Sequence, residues 1–277
     1  MRRVVTFTSG IAGVCLVTLT AWPFLQSRKA EAPAPDSNQH SLATIHPQSS
    51  AVQETAPTES TILGYTKRKT PIKALFIGSG KTRVIVLGAI HGDEPSSASV
   101  VEAFATRVAK DQFIKDMTVI VIPVLNPEGL QSESRTNHSG VDINRNFPAK
   151  TWQPGANQAR YYPGKKPSSE PETRAIIALI QKSSPSLIIS VHAPLNCVNW
   201  DGPGQTIAAS MAEANGYPMC QDIGYPTPGS LGSYAGKDLN IPVITLELRE
   251  ARSSDKITEE GVVALQAAIK WLAMNRN

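Results

Sequence analysis

The chain has 277 residues, 41% of them apolar, enough to bury the core of one large domain. Its formal net charge is only +4, and the basic residues are scattered, not gathered into a stripe with interleaved aromatics. That distribution excludes nucleic acid as the expected partner.

In chain order, Met1-Arg2-Arg3 precedes an apolar run from Val4 to Leu25 that carries no acidic or basic side chain. Residues 1–26 therefore read as an export signal or a membrane anchor, about long enough to span a bilayer. Lys29-Ala30-Glu31-Ala32 is a poor cleavage site, so cleavage and anchoring both stay open. Either way the expected location is periplasmic, or on the inner membrane facing the periplasm, with membrane contact through this segment. Cys15 follows Val14, where lipid attachment wants a small residue, and is not read as a lipidation site.

Residues 27–60 are rich in Pro, Ala, Ser, Thr, Gln and Glu, and cannot bury enough surface to fold, so they read as a disordered linker. His40 and His46 have no scaffold there and are set aside as ligands. A single catalytic domain is expected over 61–277. Ile72 to Ile77, Arg83 to Ile90, Met117 to Val124, Leu187 to His192 and Pro242 to Leu248 read as strands. Val84-Ile85-Val86-Leu87 and Val119-Ile120-Val121-Ile122 are apolar throughout, as in strands covered on both faces. Pro95 to Lys110, Glu172 to Lys182, Thr206 to Asn215 and Glu259 to Met274 read as helices. Alternating strands and helices imply an α/β fold with a mixed, mostly parallel sheet flanked by helices, its ligands at the carboxyl ends of strands.

Three candidate metal ligands fall at such ends: His91 and Glu94 in His91-Gly92-Asp93-Glu94, and His192 in Ser190-Val191-His192. Two imidazoles and a carboxylate suit a catalytic zinc, which leaves a further position for water. The His-x-x-Glu pair alone recurs in ordinary surface loops and carries no weight by itself. Its company does: Asn126-Pro127-Glu128-Gly129 follows another apolar strand, then come Arg135 and Gly140-Val141-Asp142-Ile143-Asn144-Arg145-Asn146. Cys197 and Cys220 could form a disulfide, worth about 3 kcal/mol for a loop of this size, or remain two buried thiols.

With Thr245-Leu246-Glu247-Leu248 added, the sequence from about Ile62 to Ala273 resembles the zinc carboxypeptidase (carboxypeptidase A-like) family. The resemblance implies a roughly eight-stranded sheet and one zinc per chain, held by His91, Glu94 and His192. It makes Glu247 the general base and Arg135 the cation that polarises the scissile carbonyl. Asn144 and Arg145 would hold a free carboxylate of the substrate, and Asp142 would fix the His91 tautomer. Tyr234 would be the mobile tyrosine that caps bound substrate. Any of these charged groups could instead sit in a structural salt bridge, and Tyr234 could be a packing aromatic.

Ser190-Val191-His192-Ala193-Pro194 and Tyr225-Pro226-Thr227-Pro228-Gly229 resemble the branch of the family that cuts bacterial cell-wall (murein) peptides between γ-D-glutamate and meso-diaminopimelate. A murein peptide is then the expected substrate. A general metallocarboxypeptidase or N-acyl amino acid deacylase, and a non-catalytic wall-binding protein, are the alternatives.

Overall fold

The computed structural model describes residues 56–155 and 159–275. The expected leader, and the linker up to residue 55, lie outside the described residues, and no described helix is long and apolar enough to cross a membrane.

Seven strands are described: β1 (Thr58–Tyr65), β2 (Pro71–Ile77), β3 (Thr82–Leu87), β4 (Met117–Ile122), β5 (Leu187–His192), β6 (Cys197–Asp201) and β7 (Val243–Glu247). The helices are α1 (Pro95–Val108), α2 (Pro127–Gln131), α3 (Pro171–Ser183), α4 (Gln205–Asn215) and α5 (Asp255–Met274). One sheet runs in the order β1-β2-β4-β3-β5-β7-β6. Its centre, β4-β3-β5-β7, is parallel, while β1 and β2 at one margin and β6 at the other pair antiparallel with their neighbours. Three of the six pairings are antiparallel, so the sheet is evenly mixed, not mostly parallel, with seven described strands against roughly eight expected.

The two margins explain the difference. A strand at a sheet edge is held from one side by its backbone and needs no continuous apolar run. Thr58, Glu59 and Ser60 pair with Ile77, Phe76 and Leu75, so the folded domain begins within the stretch expected to be linker. β6 is short and interrupted by Asn199 and Asp201, which hid it in the sequence.

Alternate residues of the central strands face opposite layers, as period-two side chains must. Val84, Val86, Val119 and Ile189 pack with Phe104 of α1, Met211 of α4 and Leu265 of α5. Ile85, Leu87, Ile120 and Ile188 pack on the other side with Ile176 and Ile180 of α3 and with Phe147. Helix ends follow local chemistry. Pro95 opens α1, where its missing N–H leaves no gap in the ladder. α5 starts a turn before Glu259 because the Ser254 hydroxyl accepts the Ile257 N–H at 3.3 Å.

Cys197 and Cys220 form a disulfide, with Cα atoms 6.1 Å apart. It ties β6 to the segment entering the loop that carries Tyr225. The same segment is held by Asn199, whose amide donates to the Cys220 carbonyl at 2.7 Å. Replacing both cysteines by serine is expected to lower the unfolding free energy by about 3 kcal/mol. Denaturant titration without reductant measures this, and an unchanged midpoint would show that Asn199 and the backbone pairing hold the loop unaided.

Candidate active site

Adjacent parallel strands β3, β5 and β7 end side by side. The chain leaves β3 for His91, β5 ends at His192, and β7 ends at Glu247, which is the register partner of His192. After β3, Ala89 takes a left-handed φ of 41°, and its N–H donates to the Ser97 hydroxyl at 2.9 Å. Gly92 then packs backbone to backbone on Gly129, so that a Cβ at Gly92 would collide with it. The Asn126 side chain accepts the Gly129 N–H at 3.0 Å and donates to the Ile90 carbonyl at 3.3 Å. His-Gly-x-Glu and Asn-Pro-x-Gly therefore interlock, and both glycines have a steric cause.

His91, Glu94 and His192 are buried and offer ligand atoms all within 4.8 Å of one another. The two histidine Nδ1 atoms face each other at 3.1 Å. Glu94 Oε1 lies 2.8 Å from His91 Nδ1, and Oε2 lies 2.9 Å from His192 Nδ1. The outer nitrogens are engaged elsewhere, His91 Nε2 with Asp142 at 3.1 Å and His192 Nε2 with the Ser190 hydroxyl at 2.9 Å. Once His91 Nε2–H donates to Asp142, lone pairs and a carboxylate converge on one point that demands a cation. Among protein groups alone a proton answers that demand. Burial disfavours the His91 imidazolium, but the Glu94 and Asp142 carboxylates outweigh it and raise the pKa to about 9. Burial equally opposes the Glu94 carboxylate, yet His91 and His192 hold it well below the usual range. This donor set fits zinc in type and number.

Asp142 is fully buried and joins the surrounding groups. One oxygen accepts from His91 and from the Asn144 N–H at 2.9 Å, and the other accepts from Arg135 Nε at 3.0 Å. Arg135 also reaches Glu94 at 3.4 Å. Asn144 accepts the Leu231 N–H at 2.9 Å through its side-chain oxygen and lines the cleft beside Arg145. Asn146, the last residue of that motif, faces away from the cleft: its amide donates to the Pro163 and Lys166 carbonyls and staples the following loop.

Glu247 lines the same cleft, of about 210 Å³, with one carboxylate oxygen buried and without a hydrogen-bond partner. Burial pushes its pKa up, and nearby His192 pulls the other way. Tyr234 does not reach the cleft. It is 9% exposed and stacks on Phe147 at 6.1 Å, because with Leu231 and Ala235 it forms an inward face of the helical turn Gly232–Asp238. The cleft tyrosines are Tyr225 and Tyr161, and an acid, Asp201, also lines it. Sequence reading assigned none of the three to the site, since each comes from a loop or a sheet margin, and Tyr161 and Asp201 have no motif around them. The Tyr225-Pro226-Thr227-Pro228-Gly229 run was the available signal, a tyrosine in a segment too proline-rich for a helix.

Fold and site together define a metal-dependent hydrolase built on a mixed α/β sheet. The chain belongs to the zinc carboxypeptidase family, whose model matches residues 49–206, and it is a hydrolytic enzyme with zinc as its cofactor. Murein peptide amidase A of Escherichia coli (strain K12) is 35% identical over 198 residues, covering 68% of this chain and 79% of the relative. Murein-tripeptide amidase from Escherichia coli O157, a crystal structure, matches with TM-score 0.63 and 30% identity, over 79% of this chain and 94% of that one. Carboxypeptidase A from Helicoverpa armigera shares the fold at 17% identity, with TM-score 0.62 over 78% of this chain and 69% of that one.

Proposed function

We propose that the chain is an exported murein peptide amidase that hydrolyses the γ-D-glutamyl–meso-diaminopimelate bond. The observation that carries this reading is Arg145. The residue is 4% exposed and lines the cleft, and among the described residues its guanidinium donates only to the Asn144 carbonyl, at 2.7 Å, and pairs with no carboxylate. A buried cation without a paired counter-charge is costly, and a substrate carboxylate completes it through the guanidinium fork. Asp201 supplies the opposite chemistry. Its carboxylate lies against Gly232, where a Cβ would collide with it, and it pairs with the exposed Lys237 at 3.0 Å. A diamino dicarboxylic acid presents both the carboxylate and the ammonium that such a cleft takes. Similarity to the murein peptide amidases supports the same substrate class. Export rests on Met1-Arg2-Arg3 and the apolar run behind it.

His91, Glu94 and His192 would hold the zinc, which supplies Lewis acidity toward a carbonyl and lowers the pKa of water. Glu247 takes the proton of the attacking water on its unpartnered oxygen. As the amide C–N bond breaks, the same carboxyl group returns that proton to the leaving amine. Arg135, fixed by Asp142 and Glu94, directs its remaining N–H groups at the oxygen where negative charge develops. Tyr225 takes the capping place that Tyr234 does not occupy.

Zinc-loaded protein incubated with L-alanyl-γ-D-glutamyl-meso-diaminopimelate is expected to release free diaminopimelate and the dipeptide, identified by mass. Intact tripeptide beside cleaved ordinary C-terminal peptides or N-acyl amino acids would instead establish the general carboxypeptidase or deacylase.

A further inference from the structure

One aromatic ring contacts both arginines of the cleft. The Arg135 guanidinium carbon lies 5.3 Å from the Tyr161 ring centroid, and that of Arg145 lies 5.5 Å from it. The ring is half-buried, lines the cleft, and has Tyr225 at 6.4 Å between centroids. Its carrier is tied to the segment that bears Asp142 and Arg145, because the Asp142 N–H donates to the Tyr162 carbonyl at 2.9 Å.

The two arginines depend on the ring unequally. Arg135 already has carboxylates on two of its N–H groups, from Asp142 and Glu94. Arg145 has only the Asn144 carbonyl, so the face of Tyr161 is its second fixed contact. A guanidinium carries several rotatable bonds, and two like charges beside one another drift apart unless something holds them. An aromatic face does so through its quadrupole, without using the N–H groups that a carboxylate needs.

We propose that Tyr161 is a positioning residue: its ring holds the Arg145 guanidinium beside that of Arg135, with the N–H fork of Arg145 free for the substrate carboxylate. This rests on Arg145 being the carboxylate site of the proposed function. It goes further by making a residue of a separate loop determine how well that site discriminates charged from uncharged chain ends.

The test measures binding, so that turnover does not intervene. In full-length protein carrying Glu247→Gln, the murein tripeptide and its analogue amidated at the carboxyl group next to the acylated nitrogen are titrated by calorimetry. Adding Tyr161→Ala is expected to raise the dissociation constant of the tripeptide about tenfold, the scale of a partly desolvated cation–π contact, and to leave that of the amide unchanged. Tyr161→Phe, which keeps the ring, is expected to restore tight binding, and Tyr161→Leu serves if the alanine variant does not fold. Equal tripeptide affinity with and without the ring overturns the role of Tyr161 while leaving Arg145 as the clamp. Equal affinity for tripeptide and amide in the Glu247→Gln parent overturns the carboxylate site itself, and the positioning role with it.

Discussion

Glu247→Gln is expected to lower turnover of the murein tripeptide by about 10³-fold, within the range of a lost general acid–base group. The glutamine keeps the shape of the carboxylate and removes the site that accepts the proton of water. The zinc content is expected to remain at that of the parent, since Glu247 is not among the three residues whose donor atoms converge. Three features of Glu247 support the size of the effect. It ends β7 beside His192, it keeps one buried oxygen free of any partner, and burial raises its pKa toward the range where a carboxylate works as a base. Single-turnover kinetics with metal analysis on the same sample checks both parts. Loss of activity together with zinc would make Glu247 a structural support of the metal site.

Arg145→Ala is the second large effect. Hydrogen bonds to a charged group contribute about 1.5–3 kcal/mol each, so losing a two-pronged grip on a carboxylate is expected to cut kcat/KM by about 10²–10³-fold. Most of the loss belongs in KM, because the carboxylate is bound before and during the reaction alike. Arg145→Lys keeps the charge and loses the fork, and is expected to recover only part of the affinity. Steady-state kinetics over a wide range of tripeptide concentration separates the terms, and an unchanged KM in the alanine variant would remove Arg145 from substrate binding.

The convergence of His91, Glu94, His192 and Glu247 was legible in the sequence because each ends or closely follows an apolar strand, and a parallel sheet brings such ends together whatever the loops do. Asp142, Asn144 and Arg145 were legible through their shared motif, which the structure explains as one short turn organised by the Asp142 carboxylate. Gly92 and Gly129 were visible as letters of two motifs, but that they exist to touch each other was not. The margins were harder to read: β1 and β6 are polar or short, and edge pairing leaves no periodic signature. The family resemblance made Tyr234 the tyrosine that caps substrate, with a packing aromatic in a glycine-rich stretch as the alternative; that stretch is helical and turns the ring toward Phe147, as the alternative has it. Tyr161 owes its place to the Asp142–Tyr162 backbone hydrogen bond, Asp201 to the pairing of β6 with β7, and Tyr225 lies in the loop that follows the Cys197–Cys220 bridge, all of them joining positions far apart in the chain.

Zinc-dependent cleavage of the tripeptide, followed by mass on a single preparation, puts the metal site and the substrate to trial together. Protein stripped by a chelator is expected to leave the tripeptide intact and to regain diaminopimelate release as zinc is added back, saturating at one zinc per chain. Release that persists in the stripped protein, or a zinc-saturated protein that leaves the tripeptide whole, would contradict it.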